Sequence, residues 1–186
     1  MIRLVLVLMI AACAPTLSST PQWHAMSLPA TSGQPATYPH DLSTARFTVF
    51  VFFAKSCPCF GMHEARLREL VDRFGTRGVR FVIVDSERGR TIADDAAEAQ
   101  QRKLPAPVVL DPGAKLAGML GAVYATYSVV VDANGEIKYR GGIDSDKSHL
   151  RDDRTQYLAD ALDDLVAGRV PRRAETKTLG CALQTW

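Results

Sequence analysis

The sequence has no excess of charge. Its 186 residues carry 22 basic and 20 acidic side chains, a formal net charge of +2, with no dense Lys/Arg stripe. That excludes a basic nucleic-acid surface and predicts a mixed polar exterior. No long apolar run is present either, since the N-terminal stretch Leu4 to Ala12 is too short to span a bilayer as a mature helix. No phosphate-binding loop occurs: Gly75-Thr76-Arg77-Gly78 and Gly141-Gly142 read as helix ends and turns. Asp144, Asp146, Asp152 and Asp153 do not follow calcium-loop spacing and read as a solvated face. Four-ligand zinc spacings are missing. Cysteine is scarce, with four in all: Cys13, Cys57, Cys59 and Cys181. With Cys13 set aside the number is odd, which favours a reactive thiol over a purely structural disulfide framework.

What is present begins with a leader. Met1-Ile2-Arg3 is a short basic start, and the apolar stretch ends Ile10-Ala11-Ala12-Cys13. Small residues before a cysteine resemble the lipobox of bacterial lipoprotein signal peptides. The resemblance implies that residues 1–12 are a signal peptide and that Cys13 carries the lipid. It places the protein on the periplasmic side of the bacterial cell envelope, an oxidising compartment. Ala14, rather than Asp, after Cys13 favours the outer membrane. Residues 13–39, rich in Pro, Ser, Thr, Ala and Gly, read as a flexible tether.

The informative motif is Cys57-Pro58-Cys59, directly after the apolar run Phe47 to Phe53. Two thiols at a strand-to-helix junction stand where a helix N-terminus can lower a thiol pKa. Around it the pattern predicts a helix over Met62 to Arg77, with Leu67, Leu70, Val71 and Phe74 as its apolar stripe. Strands follow at Val79 to Val84 and Val108 to Leu110, separated by a helix over Glu87 to Gln101. A short helix over Ala114 to Leu120 precedes a hairpin: Tyr127 to Val131, the Asn134-Gly135 turn, then Glu136 to Arg140. A polar loop leads to a last helix over Arg154 to Ala167. Strands alternating with helices and closing on a hairpin predict an α/β fold with a mixed sheet.

This order, with a cysteine motif after the first buried strand, resembles the thioredoxin fold. It is most similar to exported bacterial thioredoxin-like redoxins related to the AhpC/TSA family. Their active segment reads roughly Ser-x-x-Cys-Pro-Cys followed by His, here Ala54 to His63, and they end in Gly-Cys, here Gly180-Cys181. The resemblance covers residues 40–168 and implies a three-layer thioredoxin-like domain, with 169–186 left as a cysteine-containing tail. It implies thiol-disulfide exchange on a protein disulfide or small oxidant, without an organic cofactor. Cys57 is then the nucleophile and Cys59 the resolving thiol. Cys181 is a further resolving candidate in a flexible tail, and the physiological thiol donor stays open. His63, four residues after Cys59, is a candidate for tuning a thiolate.

The chain departs from ordinary thioredoxins at two places. Val51 stands where the buried acid is expected. Thr126 stands at the cis-proline position, with a trans bond expected. Peroxiredoxins carry Thr three residues before the reactive cysteine, where this chain has Ala54, which weakens a peroxidase reading. The non-redox alternatives are two. One is a copper module with Cys57, Cys59 and His63 or His149 as ligands. The other is a non-enzymatic adaptor.

Overall fold

The computed structural model describes residues 23–185. The leader, Cys13 and Trp186 lie outside the described residues. The sheet is built on β3, Phe47–Phe53, whose seven residues are all buried. A strand covered on both faces needs a continuous apolar, aromatic and β-branched sequence, and Phe-Thr-Val-Phe-Val-Phe-Phe supplies it. On one side β3 pairs in parallel with β4, Val79–Asp85, from Phe47 opposite Val79 to Phe53 opposite Asp85. On the other it pairs antiparallel with β6, Ser128–Asp132. With β5, Val108–Leu110, and β7, Ile137–Gly141, the sheet order is β5-β4-β3-β6-β7. The helices are α1, Pro58–Gly75; α2, Ile92–Arg102; α3, Lys115–Leu120; and α4, Tyr157–Val166. This is a thioredoxin-like α/β fold, a mixed sheet flanked by helices.

Helix boundaries differ from expectation for local reasons. The first helix starts at Pro58 rather than Met62, because proline at the first helical position loses no hydrogen bond. Cys59 therefore belongs to the first turn. The second helix starts at Ile92, not Glu87, behind a capping box in which Thr91 and Asp94 satisfy each other's amides. The residues before it are bound elsewhere: the Glu87 amide and the Arg90 guanidinium both donate to Asp85. The last helix starts at Tyr157 rather than Arg154, since Ser145 holds Thr155 in the preceding loop.

Two boundaries need correction. The tether expected over residues 13–39 does not extend past Trp23. Met26–Leu28 (β1) and Ala36–Tyr38 (β2) form an antiparallel hairpin. It is held by an aromatic cluster: Tyr38 meets Phe50 edge-on at 5.3 Å between centroids, and Trp23 lies 6.0 Å from Tyr38. The Trp23 indole also donates to the Gly135 carbonyl at 2.8 Å. Aromatic burial of this kind outweighs a Pro/Ser/Thr-rich composition. The tail from residue 169 is no loose end either. Arg140 bonds the tail across the β7 edge, its amide donating to the Ala174 carbonyl at 2.9 Å and its carbonyl accepting from the Thr176 amide at 3.1 Å. Beyond that point the tail continues as a strap to Thr185.

Candidate functional site: a three-thiol corner

Cys57 immediately precedes α1 in an extended conformation, φ −87° and ψ 108°. Its amide donates to the Ala54 carbonyl at 3.1 Å, which closes the turn out of β3. The strap brings Cys181 to the same place, so that the sulfurs of Cys57, Cys59 and Cys181 all lie within 4.8 Å of one another. All three are free thiols; Cys57 and Cys59 are buried and Cys181 is half-buried.

Backbone geometry delivers Cys181. The Ala125 amide donates to the Cys181 carbonyl at 2.8 Å, Tyr124 and Ala182 form an antiparallel bridge, and the Leu183 amide donates to the Val123 carbonyl at 3.0 Å. Leu183 is buried, and the Arg88 amide holds the Gln184 carbonyl at 2.7 Å. Gly180 makes the approach possible, because a Cβ there would overlap the Ala125 carbonyl oxygen. Thr126 sits beside this contact, buried, with φ +70°, a left-handed conformation that strains a β-branched residue. Its amide donates to the Phe52 carbonyl at 2.8 Å, and the bond before it is trans.

The thiols differ in character. Burial opposes charge on Cys57, yet the Cys181 thiol and the amides of Phe60, Cys181 and Cys59 outweigh it and hold its pKa below the ordinary thiol value. The Phe60 and Cys59 amides belong to the first turn of α1, whose unpaired N–H groups favour a thiolate. Cys181 behaves in the opposite sense. Burial, its hydrogen bond to Cys57, and the charges of Cys57 and then Cys59 push its thiol up to about 12. The corner therefore pairs a thiol that ionises more readily than usual with one that holds its proton.

His63 does not join it. It is buried, with Nδ1 2.7 Å from the Cys59 carbonyl and Nε2 3.1 Å from Asp144 Oδ1. Both ring nitrogens face oxygen acceptors, so His63 ties the backbone of Cys59 to Asp144 instead of facing a sulfur. His149 is exposed in the late loop. The copper ligand set of Cys57, Cys59 and His63 or His149 is therefore not gathered, and the compact cluster among the described residues is the three cysteines alone.

The sequence reading missed the partner of His63. Asp144 and Asp146, read as a solvated face, are buried. Arg66 Nη1 donates to Asp144 Oδ2 at 2.6 Å and to Asp146 Oδ2 at 3.0 Å, and Nη2 donates to the Arg151 carbonyl at 3.0 Å. For Asp144, burial opposes ionisation, but the bonds from His63, the Asp146 amide and Arg66 prevail and lower its pKa. The available signal was Arg66 next to the apolar stripe of α1, three residues after His63.

The AhpC/TSA family model matches residues 21–140. Among solved structures, an uncharacterized conserved protein from Geobacillus kaustophilus superposes with a TM-score of 0.76 at 22% identity, covering 88% of this chain and 89% of that one. A hypothetical protein from Sinorhizobium meliloti gives a TM-score of 0.78 at 19% identity, covering 92% and 95%. Peroxiredoxin Q from Xanthomonas campestris gives 0.54 at 12% identity, covering 77% and 88%. The search of curated proteins finds no match.

Proposed function

Since the chain belongs to the AhpC/TSA family, we propose that it is a thiol-disulfide oxidoreductase with Cys57 as its nucleophile. The observation that carries this reading is the convergence of three free thiols within 4.8 Å, one with a lowered and one with a raised pKa. The Cys57 thiolate attacks a disulfide sulfur and expels the partner's other sulfur as a thiolate. A neighbouring thiol then loses its proton, attacks the Cys57 sulfur and releases the partner, leaving an intramolecular disulfide. Cys181 is the preferred resolving thiol because its side chain lies within 4.8 Å of Cys57 and is the group that most lowers the Cys57 pKa; Cys59 is the second in reach. A dithiol donor resets the chain. His63 and Asp144 are positioning residues, acting on Cys59 through its carbonyl.

Envelope placement, through a signal peptide over residues 1–12 and a lipid on Cys13, belongs to the same proposal. An oxidising compartment supplies disulfides for such a site. No helix among the described residues is long and apolar enough to cross a membrane.

A peroxidase is the second reading, and family membership favours it. Peroxide would oxidise the Cys57 thiolate to a sulfenic acid, which Cys181 condenses to a disulfide with loss of water. Ala54 offers no side-chain hydroxyl at the third residue before Cys57. Single-turnover rates of the reduced chain with a protein disulfide and with hydrogen peroxide separate the two. The proposal expects the disulfide to react faster at equal concentration; a reverse order overturns it in favour of peroxide reduction.

A further inference from the structure

The strap is bound in the way a foreign strand would be bound. Its contact with residues 123–125 consists of backbone bonds: Ala125 N–H to Cys181, Leu183 N–H to Val123, and the Tyr124–Ala182 bridge. Backbone pairing of this kind accepts any extended polypeptide, and side-chain sites then set specificity. One such constraint is visible. Only a residue without a Cβ fits over the Ala125 carbonyl, directly before the cysteine.

The strap is also held lightly. Leu183 is the only buried apolar side chain between residues 179 and 185. The hydroxyl of Thr178 is buried without a hydrogen-bond partner, a cost that leaving would relieve. Large apolar side chains stay exposed along the strap and its acceptor edge: Val123 at 55%, Tyr124 at 41% and Leu179 at 41%. Exposed apolar surface beside a reactive thiol fits a partner polypeptide.

We infer that Val123–Ala125 is an acceptor edge for an extended, cysteine-bearing polypeptide with glycine before its cysteine, and that Gly180–Leu183 is its resident occupant, displaced when a partner strand binds. The inference rests on the exchange reading above and names its substrate class. The partner strand lays its disulfide where Cys181 lies. The Cys57–S bond forms as the partner S–S bond breaks. The returning strap then lets Cys181 release its proton to solvent and form the Cys57–Cys181 bond. The partner leaves reduced by two electrons, and a dithiol reductant resets the chain.

The test uses the full chain with Gly180→Val, whose side chain cannot fit over Ala125, and reads Cys57 alkylation by iodoacetamide with mass mapping. Read at about pH 10.5, so that losing the Cys181 thiol does not limit Cys57 ionisation, the variant is expected to react roughly tenfold faster than the parent, in proportion to the open fraction. The unreactive peptide Thr-Leu-Gly-Ser-Ala-Leu-Gln is expected to protect Cys57 in the variant by about fivefold and to leave the parent unchanged, because the tethered strap outcompetes it. The same peptide with Val in place of Gly is expected to give no protection. Absence of protection by the glycine peptide, or equal protection by both peptides, overturns the inference.

If Gly180→Val does not fold, hydrogen exchange on the unaltered chain decides. The Ala125 and Leu183 amides opening together, faster than those of β3, supports a strap that leaves; exchange only in step with β3 overturns it. Reaction of the parent with a small aromatic disulfide, which has no backbone to pair, tests the exchange reading separately. Reactivity there without peptide protection in the variant sinks this inference alone.

Discussion

Two regions meet on the first turns of α1, and they are built from opposite materials. On one side lies the sulfur corner of Cys57, Cys59 and Cys181, where the third thiol is delivered by a strap with few side-chain anchors. On the other lies a buried ionic clamp in which Arg66 binds Asp144 and Asp146, Arg151 binds Asp146, and His63 bridges Asp144 to Cys59. The clamp is dense in charge-assisted bonds, so removing Asp144 takes an acceptor from both the buried Arg66 and the buried His63. The corner is held by backbone bonds that form and break at small cost. The contrast separates positioning from chemistry: the clamp ties the helix start to the late loop, and the corner carries the thiol exchange of the proposed function.

Breaking each side should therefore give different signatures. The largest effect is expected at the corner. Cys57→Ser should reduce the rate of disulfide exchange by roughly a thousandfold or more while leaving thermal unfolding near the parent's. Stopped-flow reaction with a small disulfide measures this. A Cys59→Ser variant losing as much, with Cys57→Ser retaining rate, would move the nucleophile to Cys59.

The clamp should fail in stability instead. Asp144→Ala leaves Arg66 and His63 without a shared buried acceptor, and breaking such a pair costs about 3–5 kcal/mol. Urea unfolding checks the figure. A change below about 1 kcal/mol would place this pair with weak surface ion pairs.

A smaller effect sharpens the corner itself. After burial, which acts in the other direction, the Cys181 thiol is the leading influence on the Cys57 pKa, and it lowers it. In Cys181→Ala that support is gone, so the Cys57 pKa should rise. Its alkylation profile should shift to higher pH, with slower reaction at neutral pH. An unshifted profile would leave the helix N-terminus alone responsible.

The smallest effect lies outside both regions. Burial, and then the neighbouring Asp85, raise the Asp95 carboxyl to about 7 from 3.8, with Arg90 acting against them. One Asp95 oxygen is also buried without a partner. Its folded pKa lies above its unfolded one, so the stability it confers is full below pH 3.8 and is lost as pH rises through about 7. Asp95→Asn should flatten that decline in a pH series of urea midpoints.

The fold was legible because its central features are local patterns. The seven residues of β3, the amphipathic stripe of α1 and the Asn134-Gly135 turn each declare their element within a short window. Cys57 and Cys59 were visible for the same reason, as a motif between a strand and a helix. Features requiring distant partners were not legible. Asp144 reads as a solvated acid until Arg66 and His63, some 80 residues away, are placed beside it. The ordering of residues 23–39 depends on Trp23 and Tyr38 meeting Phe50. The tail looked irregular because its order comes from backbone pairing with residues 123–125 and 140, which side-chain periodicity does not encode. Only Gly180, directly before Cys181, hinted at the close approach.

The most direct measurement is disulfide mapping after one turnover. The reduced full chain is mixed with one equivalent of a protein disulfide, quenched by alkylation and digested. The expected product is a bond between Cys57 and Cys181 with Cys59 alkylated. A Cys59–Cys181 bond with Cys57 alkylated, or no intramolecular bond at all, would contradict a Cys57 nucleophile resolved from the strap.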